Sequence, residues 1–103
     1  GEDIHYSIFL QDGEFLGRVS LQYGRCKYPE IAIVVVKKYQ NQGYGFKLLK
    51  EWCSWVHEVY GYSRLDILID AENEPSIRLF RKLDVKWDSK DSDVLECHIE
   101  LPL

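Results

Sequence analysis

The strongest constraint in the sequence is the run Glu30-Ile-Ala-Ile-Val-Val-Val36, followed by a polar, glycine-bearing stretch and then by an amphipathic segment. The run is strand-length, almost wholly apolar and rich in β-branched residues, the pattern of a central strand covered on both faces. From Phe46 to Tyr60, Leu49, Trp52, Cys53, Val56, Val59 and Tyr60 recur at helical spacing, and Leu48 and Trp55 widen the stripe. Gly61 supplies a C-terminal stop. Another apolar strand follows at Leu65 to Ile69. A strand, a helix and a second strand in that order form a crossover unit, which delivers a parallel strand pair.

The flanking segments extend the sheet. His5 to Gln11 alternates, with Tyr6, Ile8 and Leu10 on one side; Asp12-Gly13 is a hairpin signal, and Phe15 to Tyr23 resumes a strand pattern before the break at Gly24 to Pro29. Asn73 and Pro75 are the capping side chain and first-turn proline of a short helix ending near Leu83. Strands at Val85 to Trp87 and Val94 to Leu101 close the chain, with charged Asp88 to Asp93 as a solvated turn. The order hairpin, strand, helix, strand, helix, hairpin predicts one α/β or α+β domain over residues 1–103, with three layers at most.

Charge narrows the partners. Asp plus Glu number 17 against 13 Lys plus Arg, a net charge of −4. An acidic balance argues against nucleic acid or an anionic membrane as the main partner, because both draw affinity from clustered Lys and Arg. No apolar run approaches the roughly 20 residues of a membrane helix. No leader pattern is visible, and Gly1 in place of Met reads as a processed start. Cys26, Cys53 and Cys97 are odd in number and, like His5, His57 and His98, scattered. That distribution predicts reduced core thiols in a cytoplasmic protein, without disulfide or metal site.

The loop Gln40-Asn41-Gln42-Gly43-Tyr44-Gly45 is the candidate for chemistry. Its glycines permit positive φ, so successive N–H groups can converge in front of a helix's positive end, where a phosphate or diphosphate is favoured. Lys37, Lys38, Lys47 and Lys50 crowd into the same stretch. The glycine spacing differs from both the phosphate loop with Gly-Lys-Ser/Thr and the six-residue dinucleotide fingerprint.

Together these segments resemble the GNAT superfamily of N-acetyltransferases, over roughly Gln11 to Leu101. Glu30 to Gly45 looks like the family's fourth strand and its coenzyme loop of type Gln/Arg-x-x-Gly-x-Gly/Ala. Asp70 to Leu83 looks like the following motif, Asn-x-x-Ser/Ala-x-x-Leu-Tyr-x-Lys-x-Gly-Phe, and the branch most resembled acetylates ribosomal-protein N-termini or polyamines. The resemblance implies a mixed central sheet and acetyl-CoA as co-substrate. Backbone groups of Ile33, Val34 and Val35 would meet the pantetheine arm, and Gln40, Asn41, Gln42, Gly43, Tyr44, Gly45 and Phe46 would hold the diphosphate. Asn73 would touch the arm or orient the loop, a role that competes with plain helix capping. The Ile33 amide is the expected oxyanion donor, since charge develops on the acetyl oxygen as the tetrahedral intermediate forms.

Several positions depart from the family pattern. Phe80 stands where a Tyr often protonates the leaving thiolate, Leu68 where one branch carries a Glu base, and Asp84 where Gly is usual. Glu30 is the remaining candidate base, with a solvated strand-edge carboxylate as its bland alternative. The family's first strand and two acceptor-side helices have no counterpart in this sequence. Either the acceptor groove is open, or a homodimer meeting along the apolar flank of Phe46 to Tyr60 completes its wall. The reading is an N-acetyltransferase acting directly on a primary amine, its alternative a coenzyme-binding or interaction module without turnover.

Overall fold

The β-branched run becomes β3 (Glu30–Val35), third in a six-stranded sheet of order β1-β2-β3-β4-β6-β5. A computed structural model describes residues 1–90 and 93–103. β1 (Ile4–Phe9) and β2 (Phe15–Gln22) form the hairpin, and β3 pairs antiparallel with β2. α1 (Tyr44–Tyr60) then crosses to β4 (Arg64–Asp70), parallel to β3 as the crossover requires. α2 (Glu74–Arg81) leads to the closing hairpin of β5 (Lys86–Lys90) and β6 (Val94–Glu100). This is the mixed α/β architecture expected.

Both helices bury their apolar stripes in one cluster. Leu49, Trp52, Cys53 and Val56 of α1 and Ile77 and Phe80 of α2 pack with Val19, Leu21, Ile31, Leu65, Ile67, Cys97 and Ile99 of the sheet. Each fully buried aliphatic side chain contributes roughly 1.5–3 kcal/mol by leaving water. Helices sharing one core lie on one face, so the domain has two layers. Gly61, at φ 74°, ends α1 by donating its N–H to the His57 carbonyl.

The opposite face carries a polar row, with Glu30, Asp66 and His98 side by side on β3, β4 and β6. Three expectations are corrected here. β3 is not covered on both faces, since with a single helix layer Val34 remains 62% exposed. α1 starts at Tyr44 rather than Phe46, because Gly43 in the left-handed region serves as its N-cap. The Asp88 to Asp93 segment is not all turn, since β5 continues through Lys90 with a register shift between Trp87 and Ser89. That shift frees Asp88, the residue between them, to reach His98 Nδ1 at 2.7 Å. Asp91 and Ser92 of that segment lie outside the described residues.

The strand pairing positions the site. β2 and β3 match over six residue pairs and β4 and β6 over seven, whereas β3 and β4 share the single pair Glu30–Asp66. Beyond it the two parallel strands diverge, and a wedge opens in the middle of the sheet.

Candidate functional site

Backbone alternation decides which groups face the wedge. Val36 N–H donates to the Leu16 carbonyl at 2.9 Å, just past the β2–β3 register, so the residue pairs that exchange hydrogen bonds there include Val34, Ala32 and Glu30. Ile33 and Val35 therefore turn their N–H and C=O groups the other way, toward β4. With β4 gone from reach, those of Ile33 have no ladder partner. Val35 spends its carbonyl on Gln40 Nε2 at 2.8 Å, which ties the loop back to the strand. Of the three strand residues expected to meet a pantetheine arm, Val34 thus offers no backbone group, because its own face β2.

The loop completes the opening. Asn41 at φ 62° and Gly43 at φ 88° turn the chain into α1, and the first helical bond runs from Lys47 N–H to the Gly43 carbonyl at 3.2 Å. By helix geometry the amides of Tyr44, Gly45 and Phe46 have no intrahelical partner, and Gly43 brings no side chain to cap them. They and the helix dipole face outward as an anion site. Leu79 of α2 packs over Gly45, where a Cβ would meet Leu79 Cδ2 at 3.4 Å, about ordinary contact distance.

Strand, loop and α2 enclose a cavity of about 350 Å³. Ile33, Val34, Val35, Gln40, Asn41, Gly43, Gly45, Phe46 and Asn73 line it. Gln42 does not, its side chain bonding to the Lys38 carbonyl at 2.9 Å, and Tyr44 does not, its ring packed on Tyr39. Asn73 is also the α2 cap, its Oδ1 accepting from Ser76 N–H at 3.2 Å.

The lysines that the sequence placed beside the loop do not line the cavity, and Lys38 is bound to Glu14 at 3.0 Å. Its cationic wall comes instead from Arg78 of α2 and from Lys82 at the α2 C-cap, to which the sequence reading gave no role. Their separation of four residues on a helix whose core residues are Ile77 and Phe80 was the available signal.

Glu30 stands outside the cavity lining, at the closed end of the wedge. It is no solvated edge carboxylate, being 2% exposed and clamped by the Arg25 guanidinium, whose Nε donates at 3.0 Å. That hydrogen bond holds the Arg25 guanidinium above its ordinary pKa. Phe80 is buried in the core, and burial pushes the Cys26 thiol up to about 11 and the Cys53 and Cys97 thiols up to about 12. No carboxylate, imidazole, thiol or phenol lines the cavity among the described residues. What the cavity offers is backbone amides and the cationic side chains of Arg78 and Lys82.

A family model described as an acetyltransferase (GNAT) domain matches residues 1–86. The chain belongs to the GNAT family. Solved structures repeat the fold of this GNAT domain at low identity. A spermidine N-acetyltransferase from Vibrio cholerae, in complex with CoA and spermine, superposes with a TM-score of 0.82 at 12% identity, covering 97% of this chain and 66% of that one. A GNAT-family acetyltransferase from Streptococcus pneumoniae gives 0.79 at 23%, covering 98% and 68%. A domain from Methanocaldococcus jannaschii gives 0.83 at 20%, again covering 98% and 68%. The chain thus spans about two thirds of the length of each. No curated protein matches it. No helix among the described residues is long and apolar enough to cross a membrane, and no group of three or more His, Cys, Asp or Glu could hold a metal ion there.

Proposed function

We propose that this GNAT domain binds acetyl-CoA in the β3–β4 wedge and moves its acetyl group directly to a primary amine of a small molecule or peptide. The observation that carries this reading is the wedge itself, where Ile33 backbone groups without a ladder partner lead to the uncapped amides of α1. A pantetheine arm is a chain of amides and needs a strand edge. A diphosphate needs converging donors, and both lie in one cavity in the right order.

The amine nitrogen attacks the thioester carbonyl, forming a C–N bond, and the C–S bond breaks as the tetrahedral intermediate collapses. The Ile33 N–H stabilises the oxyanion between those events. The surplus amine proton passes to solvent and the thiolate leaves into the wedge, since no cavity side chain is an acid or base. Catalysis rests on positioning. Glu30 lies outside the cavity and is held by Arg25, so the amine must arrive neutral, and turnover rises with pH as it loses its own proton.

The spermidine acetyltransferases among the structural neighbours support a polyamine-like acceptor, and the dodecameric assembly of one of them supports a multi-copy arrangement in which a second chain builds the acceptor wall. In this reading residues 1–103 act as one domain in the cytoplasm. The lack of an acid or base in the cavity and the burial of Phe80 favour a second reading, a coenzyme-binding module without turnover. Thiol release from acetyl-CoA with a panel of primary amines, run beside calorimetric titration of CoA, separates them. Binding with amine-dependent release supports the enzyme, binding alone supports the module, and no binding at millimolar CoA refutes both.

A further inference from the structure

Glu30 and Asp66 are the two buried carboxylates among the described residues, each 2% exposed. They are also the one residue pair that β3 and β4 share, at the closed end of the wedge. Each has its own arginine: Arg25 Nε donates to Glu30 at 3.0 Å and Arg64 Nε to Asp66 at 3.1 Å. In the pairs Lys38–Glu14 and Lys86–Glu100 the carboxylates are exposed instead. Burying an ion pair adds little stability over apolar residues of the same size, because desolvation offsets the attraction; what it can add is a fixed register.

Resting on the coenzyme reading above, we infer that Arg25–Glu30 and Arg64–Asp66 lock the register at which β3 leaves β4, which makes Glu30 and Asp66 positioning residues for the pantetheine arm. Apolar strands joined by one pair can slip by two residues with every side chain still on its own face. Here a slip would carry Asp66 away from the 24–29 connection, where its N–H donates to the Pro29 carbonyl at 2.8 Å and its Oδ2 accepts from Tyr28 N–H at 3.2 Å. It would also pull the Arg64 guanidinium off the Tyr28 ring, whose centre is 4.3 Å away. Register decides what Ile33 offers the wedge: in a parallel ladder one further pair, Ala32 with Leu68, takes up the Ile33 N–H. The lock therefore sets where that N–H stands, while the α1 amides at the diphosphate end keep their own geometry from the loop. Two other roles compete with it, general support of the fold and a base at Glu30.

The experiment is calorimetric titration of the intact chain with CoA and with adenosine 3′-phosphate 5′-diphosphate, the coenzyme's nucleotide without its arm. The proteins are the unaltered chain, Glu30→Gln, Asp66→Asn and Gly13→Ala. Glu30→Gln keeps the side chain's shape, and its partner Arg25, with a side chain 63% exposed, returns to water, so this variant carries the test should Asp66→Asn fail to fold. Both variants should lose roughly tenfold or more in CoA affinity, the scale of a charge-assisted hydrogen bond, while nucleotide affinity stays within about twofold. Gly13→Ala, strained at φ 91° in the β1–β2 turn, controls for stability alone and should keep both affinities. Unchanged CoA binding by Glu30→Gln overturns the lock, and a fall in amine-dependent thiol release beside it would make Glu30 a base. An equal loss of both ligands also overturns it, reducing the pairs to support of the fold. An unaltered chain that binds neither ligand, or binds both alike, refutes the coenzyme reading and the lock with it.

Discussion

Replacing Gly43 separates backbone conformation from packing, because a Cβ added there would meet no atom within 4 Å. Any cost of Gly43→Ala therefore comes from φ 88° alone. Holding an L-residue in the left-handed region costs about 1–2 kcal/mol, and asparagine pays less. That strain has two outlets. If the loop keeps its shape, stability falls, by roughly 4–8 °C in Tm per kcal/mol for a domain near this size. If the loop relaxes, stability is spared, but the amides of Tyr44, Gly45 and Phe46 no longer converge, and CoA affinity falls by roughly 5–30-fold for the same energy. The two losses should sum to about 1–2 kcal/mol. Differential scanning fluorimetry and calorimetric CoA titration on Gly43→Ala, Gly43→Asn and Gly13→Ala measure both. Gly13, at φ 91° in the β1–β2 turn and equally open, should lose stability without losing affinity. A Gly43→Ala protein with unchanged Tm and unchanged affinity would refute the reasoning.

Two further outcomes follow from burial. Phe80→Tyr, which restores the residue type usual in the family, should not raise thiol release from acetyl-CoA. The ring is 3% exposed in the core, where an unpaired hydroxyl costs about 1–3 kcal/mol, read as a lower Tm; a faster Tyr variant would contradict this. Cys53 and Cys97 should resist a thiol reagent in the native state at pH 8 and react once the chain is unfolded. Their folded pKa of about 12 lies above the unfolded value of 9.0, so the folded state binds the thiol protons more tightly. Stability should therefore hold below about pH 9 and decline toward about pH 12, and denaturant melts that do not shift over this range would be inconsistent with buried thiols.

The sequence was most legible where one segment carries its own instruction. The β-branched run, the helical stripe and the Asn73 cap are each local, and each appears where expected within two residues. The wedge was less so, because a ladder that ends after the pair Glu30–Asp66 leaves no trace in side-chain periodicity. The state of Glu30 was hidden for a related reason: only the fold of the Gly24 to Pro29 connection brings Arg25 over it. The i, i+4 spacing of Arg78 and Lys82 is visible in the sequence, but that they face the loop depends on Leu79 packing over Gly45. Side-chain alternation likewise could not tell that Val34 faces β2 with its backbone while Ile33 faces the wedge.

The most direct test of the account is an amide-resolved NMR titration of the chain with CoA. The largest shifts should fall on the N–H groups of Ile33, Gly43, Tyr44, Gly45 and Phe46, with smaller ones on α2 near Arg78 and on neighbouring loop residues. Saturating shifts centred on the polar sheet face at Glu30, Asp66 and His98, or no shifts at all, would contradict it.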